Sequence, residues 1–330
     1  MYISPHTTMT LPKMKIHFAP LQGYTTATYR RVHNAMWGGI EQYYTPFVRI
    51  EKGGFRSRDL ADIAAENNTD TPVIPQMLPA NAQEMHTLSQ LFISQGYDRA
   101  DVNMGCPFPP IALHGRGSGL LQHPHNVKDI LQVMREYPQL KFSVKMRLGW
   151  QENDEWQAVI EAINEAPLTH VTMHPRIGRQ LYKGTTDRES FTTFTQQCTH
   201  PIIYNGDINT IEEINAIKQR YPQLAGIMMG RGLLARPHLA ACYNGTIDSD
   251  VHEIIRRTET FHNTLYNNLL STSQGDTQLL QRTLSMWEYF LPHAPHKQRK
   301  AVRKATSPSR YEQAVKQLFT AWHNSGENIL

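Results

Sequence analysis

Eight short β-branched or apolar runs recur at intervals of roughly 25 to 40 residues: 15–21, 42–47, 72–78, 99–105, 141–147, 170–176, 201–206 and 226–232. Between most of them lie stretches with helical spacing, at 81–95, 126–137, 152–166 and 211–221. Strands that alternate with helices pair in parallel, because a parallel return needs a crossover long enough to hold a helix. Eight such units over about 230 residues fit a (β/α)8 barrel, which takes ~250. A doubly wound sheet is the structural rival, but no G-x-G-x-x-G turn follows the first strand. The expected fold is therefore α/β, a TIM barrel.

After Gly232 the pattern changes. Helical periodicity runs through 252–270, 277–291 and 311–323, with a loop at 271–275. The chain is long enough, at 330 residues, for a barrel over 13–244 and a small all-helical domain over 245–330. Lys297, Arg299, Lys300, Arg303, Lys304 and Arg310 form a basic cluster with no acid between Glu288 and Glu312. Such a cluster is either a solvated face or a surface that tracks phosphates. No apolar run approaches the ~18 residues of a membrane span. The first residues carry Pro5 and Pro12 and no apolar stretch like that of a signal peptide. A cytoplasmic, monomeric protein is expected.

Barrel active sites sit at the C-terminal ends of the strands. Those ends read Pro20-Leu21-Gln22-Gly23, Arg49, Gln76, Asn103 with Cys106, Lys145 with Arg147, His174 with Arg176, Asn205-Gly206-Asp207 and Gly230-Arg231-Gly232. A polar residue at one strand end is an ordinary cap; polar residues at all eight describe a convergent site. There are only three cysteines and no CxxC pair, so disulfide and zinc readings are poor. Cys106 ends a strand beside a glycine-rich loop at 115–119, a place for a reactive group rather than for an inert core thiol.

The two glycine turns occupy the seventh and eighth strand ends, where barrels commonly bind phosphate. Glycine lets the backbone approach the oxygens, and Arg231 adds a charged fork. Flavin mononucleotide (FMN) gives the other ends a task. Gln76 suits the pyrimidine edge of the ring, Lys145 suits charge developing near N1, and His174 suits the flavin or a substrate carbonyl. Cys106 then serves as a proton donor, since a thiol with pKa near ~8.5 is mostly protonated at neutral pH. Lys145 has a rival role as a Schiff-base nucleophile, which leaves Cys106 and Gln76 idle.

Nine pieces in order then resemble the tRNA-dihydrouridine synthases: 19–23, 47–49, 76–78, 103–107, 117–121, 144–149, 174–176, 205–207 and 229–232. The short Phe47-Val48-Arg49 and Gln274-Gly275-Asp276-Thr277 look most like the bacterial C-type branch. The resemblance implies an FMN-bearing barrel followed by a helical tRNA-binding domain. It also implies NADPH as reductant, hydride transfer from flavin N5 to uracil C6, and protonation of C5 by Cys106. It places Pro20, Leu21, Gln22, Gln76, Lys145, His174, Asn205, Gly206, Asp207, Gly230 and Arg231 at the flavin. Arg49, Asn103, Arg147 and Arg176 fall at the substrate, with Lys297, Lys300 and Lys304 on the tRNA. Three departures stand out: Gln22 where relatives often carry Glu, Phe108-Pro109-Pro110 where small and basic residues are usual, and residues 1–12, an extension expected to be disordered. A barrel acting on a free pyrimidine would need no basic helical domain. A non-catalytic tRNA-binding protein would have no use for Cys106, Lys145 and His174.

Overall fold

A computed structural model describes residues 13–248 and 250–325; the extension at 1–12 lies outside the described residues. Eight parallel strands form the barrel: β1 (Ile16–Phe18), β2 (Gln42–Tyr44), β3 (Val73–Ile74 and Gln76–Met77), β4 (Arg99–Met104), β5 (Lys141–Gly149), β6 (Leu168–Ile177), β7 (Ile202–Asn205) and β8 (Gly226–Met229). β1 pairs with both β2 and β8, Ile16 lying opposite Ile227. Pro75 splits β3 because it has no N–H for the ladder. The first half pairs with β2 and the second with β4. The Pro75 carbonyl accepts the Asp101 N–H at 2.9 Å, which carries the sheet across the break.

Strand side chains alternate between two faces. Outward residues such as Val102, Met104, Val144, Met146, Val171, Met173 and Ile227 join the main hydrophobic core beneath the helices. The alternate positions carry His17, Tyr44, Asp101, Asn103, Ser143, Lys145, Thr172, His174 and Asn205, most of them buried. The interior is polar for much of its depth, and this polar column leads up to the site.

Local capping explains where the helices begin. Asn81 accepts the Glu84 N–H at 3.0 Å and Thr210 accepts that of Glu213 at 3.2 Å, so the helices Ala82–Ser94 and Ile211–Arg220 start where expected. The expected helix over 152–166 is instead a 3₁₀ turn, Glu155–Ala158, followed by the helix Ile160–Glu165. The Glu155 carboxylate accepts the N–H groups of Trp150, Gln151 and Glu152 at 2.7, 3.0 and 3.1 Å, which holds this segment as a loop.

Gly245, with φ +63°, ends the helix Leu239–Asn244. Among the described residues four helices follow: Val251–Thr272, Asp276–Met286, His296–Arg303 and Pro308–Ser325. The third lies in the basic cluster, where Lys297, Lys300 and Lys304 recur at spacings of three and four. The helix expected over 277–291 stops at Met286, and Arg299 donates to the carbonyls of Trp287 at 2.8 Å and Phe290 at 3.3 Å. Arg299 is thus a strut rather than a free cation. No described helix is long and apolar enough to cross a membrane.

The helical segment docks on the first barrel helix, Ala27–Met36. Phe261 is fully buried, with its ring centroid 5.6 Å from Tyr29, 6.2 Å from His33 and 6.3 Å from Trp37. Arg257 donates to the Met36 carbonyl at 3.1 Å. Removing a buried aromatic ring costs about 3–5 kcal/mol where the site cannot collapse. Phe261→Ala should therefore lower the unfolding free energy by about that amount, measured by urea denaturation.

Candidate active site

A cavity of about 500 Å³ opens at the C-terminal ends of the strands, a size typical of small-molecule and cofactor sites. Pro20, Leu21, Gln22, Asn103, Cys106, Lys145, Arg147, His174, Asn205, Gly206, Asp207, Gly230 and Arg231 all line it. Segments from all over the barrel thus meet in one hollow.

Cys106 is held by its backbone at both ends. Its N–H donates to Asn103 Oδ1 at 2.8 Å, and the Gly105 N–H donates to the same oxygen at 3.0 Å. Its carbonyl accepts the Ser118 N–H and hydroxyl, each at 3.0 Å. Gly117 makes this approach possible: its φ is +56°, and a Cβ there would lie 2.6 Å from the Cys106 oxygen. Burial pushes the Cys106 thiol up, while Phe108 N–H, Arg147, Lys145 and Arg49 pull the other way. Burial is the larger effect, so the sulfur keeps its proton at neutral pH.

The other groups are fixed with equal economy. Lys145 Nζ donates to Asn205 Oδ1 at 2.9 Å, and Asn205 Nδ2 donates to the Met228 carbonyl at 2.7 Å. Burial, helped by Arg147, lowers Lys145 from its ordinary value to about 8. Burial together with Arg147, Lys145, Arg176 and Arg231 holds His174 well below its usual range, so its imidazole is neutral. His174 Nε2 accepts from Arg176 at 3.2 Å, which assigns the ring proton to Nδ1.

The turn after β7 is left-handed twice in succession, with φ +137° at Gly206 and +46° at Asp207. A Cβ at Gly206 would lie 2.7 Å from Thr186 Cγ2 and 3.0 Å from His174 Cδ2. Arg176, 1% exposed, secures Asp207 through both guanidinium nitrogens and also donates to the Gly184 carbonyl at 2.6 Å.

Three residues expected at the site are placed elsewhere. Gln76 is fully buried beneath the cavity wall, its amide held between Asp101 at 2.7 Å and Asn103 at 2.8 Å. Arg176 braces the Asp207 turn instead of lining the cavity. Arg49 is also absent from the lining and pairs with Glu51 at 3.3 Å. Gln76 and Arg176 are held back by partners on another strand or loop, and Arg49 by Glu51 two residues along its own segment.

Lys297, Lys300 and Lys304 are exposed and away from the cavity lining. Lys300 and Lys304 border a separate hollow with His296, Arg299 and Arg303, whereas Lys297 borders an adjoining one.

Aromatic residues missed in the strand-end reading complete the mouth. Tyr24, Phe47, Phe108, Tyr182 and Tyr289 line it. The Tyr182 ring lies 4.4 Å from the guanidinium carbon of Arg231 and 5.4 Å from that of Arg147. Tyr289 comes from the helical segment and meets Tyr24 edge-on at 5.0 Å. Tyr182 lies six residues past Arg176, in a loop beyond where the strand-end pattern was followed.

A dihydrouridine synthase family model matches residues 17–323. The chain belongs to the dihydrouridine synthase family. It is accordingly an enzyme of dihydrouridine synthesis. Among relatives of this synthase, tRNA-dihydrouridine synthase B of Pasteurella multocida is 28% identical over 72% of this chain and 71% of its own. The tRNA-dihydrouridine(16) synthase of Neisseria meningitidis is also 28% identical, over 72% of this chain and 73% of its own. Identity alone therefore does not separate the branches, and the C-type reading rests on 47–49 and 274–277. Among solved structures, morphinone reductase superposes with a TM-score of 0.52 at 10% identity, covering 73% of this chain and 88% of that one. That likeness is one of barrel fold.

The lowered Lys145 value has a consequence for stability in the synthase. Between about 8 and the ordinary 10.5 the unfolded chain binds more protons at this position than the native state. Stability contributed here therefore rises with pH across that window. The stability difference between wild type and Lys145→Met should shift in favour of wild type as pH rises from about 7 to about 10.5, measured by denaturant titration.

Proposed function

We propose that this enzyme reduces a uridine in tRNA to 5,6-dihydrouridine, with FMN in the cavity and NADPH as the reductant. The observation that carries the reading is a protonated thiol, clamped at both backbone ends, in one hollow with a lysine and two glycine turns. Family membership and the tRNA-dihydrouridine synthases among its relatives support the tRNA substrate.

The donor set fits a flavin phosphate and ring. Gln22 Oε1 is buried at the cavity with no protein partner. Lys145 makes one hydrogen bond, to Asn205, and so retains two of its three donors. Gly206 and Gly230 line the cavity without a side chain, and the first N–H groups of the helix Arg231–Ala235 have no partners within that helix. Gly206, Asp207, Gly230 and Arg231 would hold the phosphate, with Gln22 and Lys145 at the ring and Pro20 and Leu21 beside it. When bound, the flavin supplies the hydride that C6 of the uracil receives.

The chain's own residues do the rest. The target base leaves the RNA stack to reach the cavity, as base-modifying enzymes require. Asn103, Arg147 and neutral His174 orient it, and the aromatic mouth narrows the entry. Cys106 Sγ–H gives its proton to C5 and is reprotonated from solvent. The barrel at 13–244 serves as the catalytic domain and 245–330 as the tRNA-binding domain, and a tRNA substrate implies work in the cytoplasm.

Cys106→Ala should retain FMN and NADPH oxidation but lose turnover on tRNA by about 10² to 10⁴-fold, as loss of a general acid does. Mass spectrometry of product tRNA beside flavin absorbance makes the comparison. Wild-type turnover in the variant would reduce Cys106 to a structural cysteine.

Neutralising Lys297, Lys300 and Lys304 together should weaken tRNA binding and flatten its salt dependence, leaving NADPH oxidation unchanged. Each lost phosphate contact lowers the slope of log K against log salt by ~0.7 to 0.9, the values for single- and double-stranded nucleic acid. Coincident titrations for wild type and triple variant would make the cluster a solvated face.

A further inference from the structure

We propose that Asp101 is a positioning residue that orients Cys106 through the side-chain amides of Gln76 and Asn103. The proposal rests on reading Cys106 as the proton donor.

Asp101 sits within β4, fully buried, and among the described residues it forms no ion pair. A carboxylate taken out of water is expensive to keep, so its partners deserve an account. Oδ1 accepts the Ser143 hydroxyl at 2.6 Å, and Oδ2 accepts Gln76 Nε2 at 2.7 Å. Gln76 Oε1 accepts Asn103 Nδ2 at 2.8 Å. Asn103 Oδ1 then accepts the N–H groups of Gly105 and Cys106 at 3.0 and 2.8 Å.

Polarity makes this a relay rather than a set of neighbours. An ionised carboxylate only accepts, so Gln76 must turn its NH₂ toward Asp101. That leaves the Gln76 oxygen toward Asn103, which must answer with its own NH₂. The Asn103 oxygen is thereby left facing the Cys106 loop. Backbone N–H groups only donate, so this far end demands an oxygen as well. Both ends of the relay call for the same orientation of both amides. Reversing either amide would set acceptor against acceptor on one side of it and donor against donor on the other. Asp101 defines one end, two amides carry its polarity, and the loop holding the thiol is the other end.

The test uses the full-length enzyme with its flavin. Asp101→Asn should be the conservative rescue: its oxygen still accepts from Gln76, and its NH₂ donates to a Ser143 hydroxyl turned to accept. Asp101→Ala should lower kcat for dihydrouridine formation by about tenfold or more, as small misplacements of a catalytic group do. KM for tRNA should move by less than about threefold, because the loss is not one of uniform binding. The rate at which iodoacetamide alkylates Cys106, read by peptide mass spectrometry, should also change, with Cys198 as the internal control.

Asp101→Ala/Ser143→Ala separates positioning from structure. It removes the stranded hydroxyl and should recover Tm, while kcat stays low because Gln76 remains unheld. It also serves if Asp101→Ala alone does not fold. Recovery of kcat together with Tm would overturn the proposal, as would wild-type kcat and Cys106 alkylation in Asp101→Ala. If the wild-type enzyme makes no dihydrouridine from tRNA, the functional reading fails instead. The alkylation comparison then still decides whether Asp101 orients the Cys106 loop.

Discussion

The parallel register of β3, β4 and β5 sets Gln76 opposite Asp101, Asp101 opposite Ser143 and Asn103 opposite Lys145. These rungs put polar side chains side by side on the inner face, while Val102, Met104, Val144 and Met146 pack outward under the helices. A slip of one residue would exchange the two sets, burying Asp101 and Lys145 among apolar chains. The register is therefore guarded by the hydrophobic core as well as by the hydrogen bonds that depend on it. Catalytic geometry and barrel stability share one constraint.

Charge at the strand ends is lopsided. Lys145, Arg147, Arg176 and Arg231 converge on this end, with Asp207 paired to the last two. The positive field is suited to a phosphate-bearing ligand and reinforces the burial that keeps His174 neutral. It also acts on Cys106, favouring the thiolate, and burial opposes it with the greater effect. A more open loop would tip that balance toward a nucleophile. The Ser118 and Asn103 clamps thus influence the chemistry of the sulfur as well as its position.

The barrel was legible because parallel strands and their crossovers leave a repeating apolar pattern, and fourteen of the residues picked from strand ends and the turns beside them line the cavity. Gln76 and Arg176 show the limit of that reading. Each is polar and ends a strand, yet Asp101 and Asp207 hold it away from the cavity, and those partners stand on another strand or loop. Asp101 lies two residues before Asn103, but periodicity marks it only as strand interior; its importance emerges from the partners on β3 and β5. The helix His296–Arg303 shows no apolar periodicity, with Val302 its one buried residue, and only the spacing of Lys297, Lys300 and Lys304 marks it. Tyr289 was hidden by distance, since no local pattern places a residue of the helical segment at the barrel mouth.

Tyr24 donates to Glu288 across 264 positions of chain, beside the ring contact between Tyr24 and Tyr289. The cavity is thus bounded both by residues from the first strand end and by residues beyond the barrel. Closing such separations is entropically slow compared with forming any single helix. During synthesis, every strand end can be in place while this side of the mouth is still missing. The mouth is complete only when residues 264 positions apart have met, so competence to hold a ligand reports on the assembly of almost the entire chain.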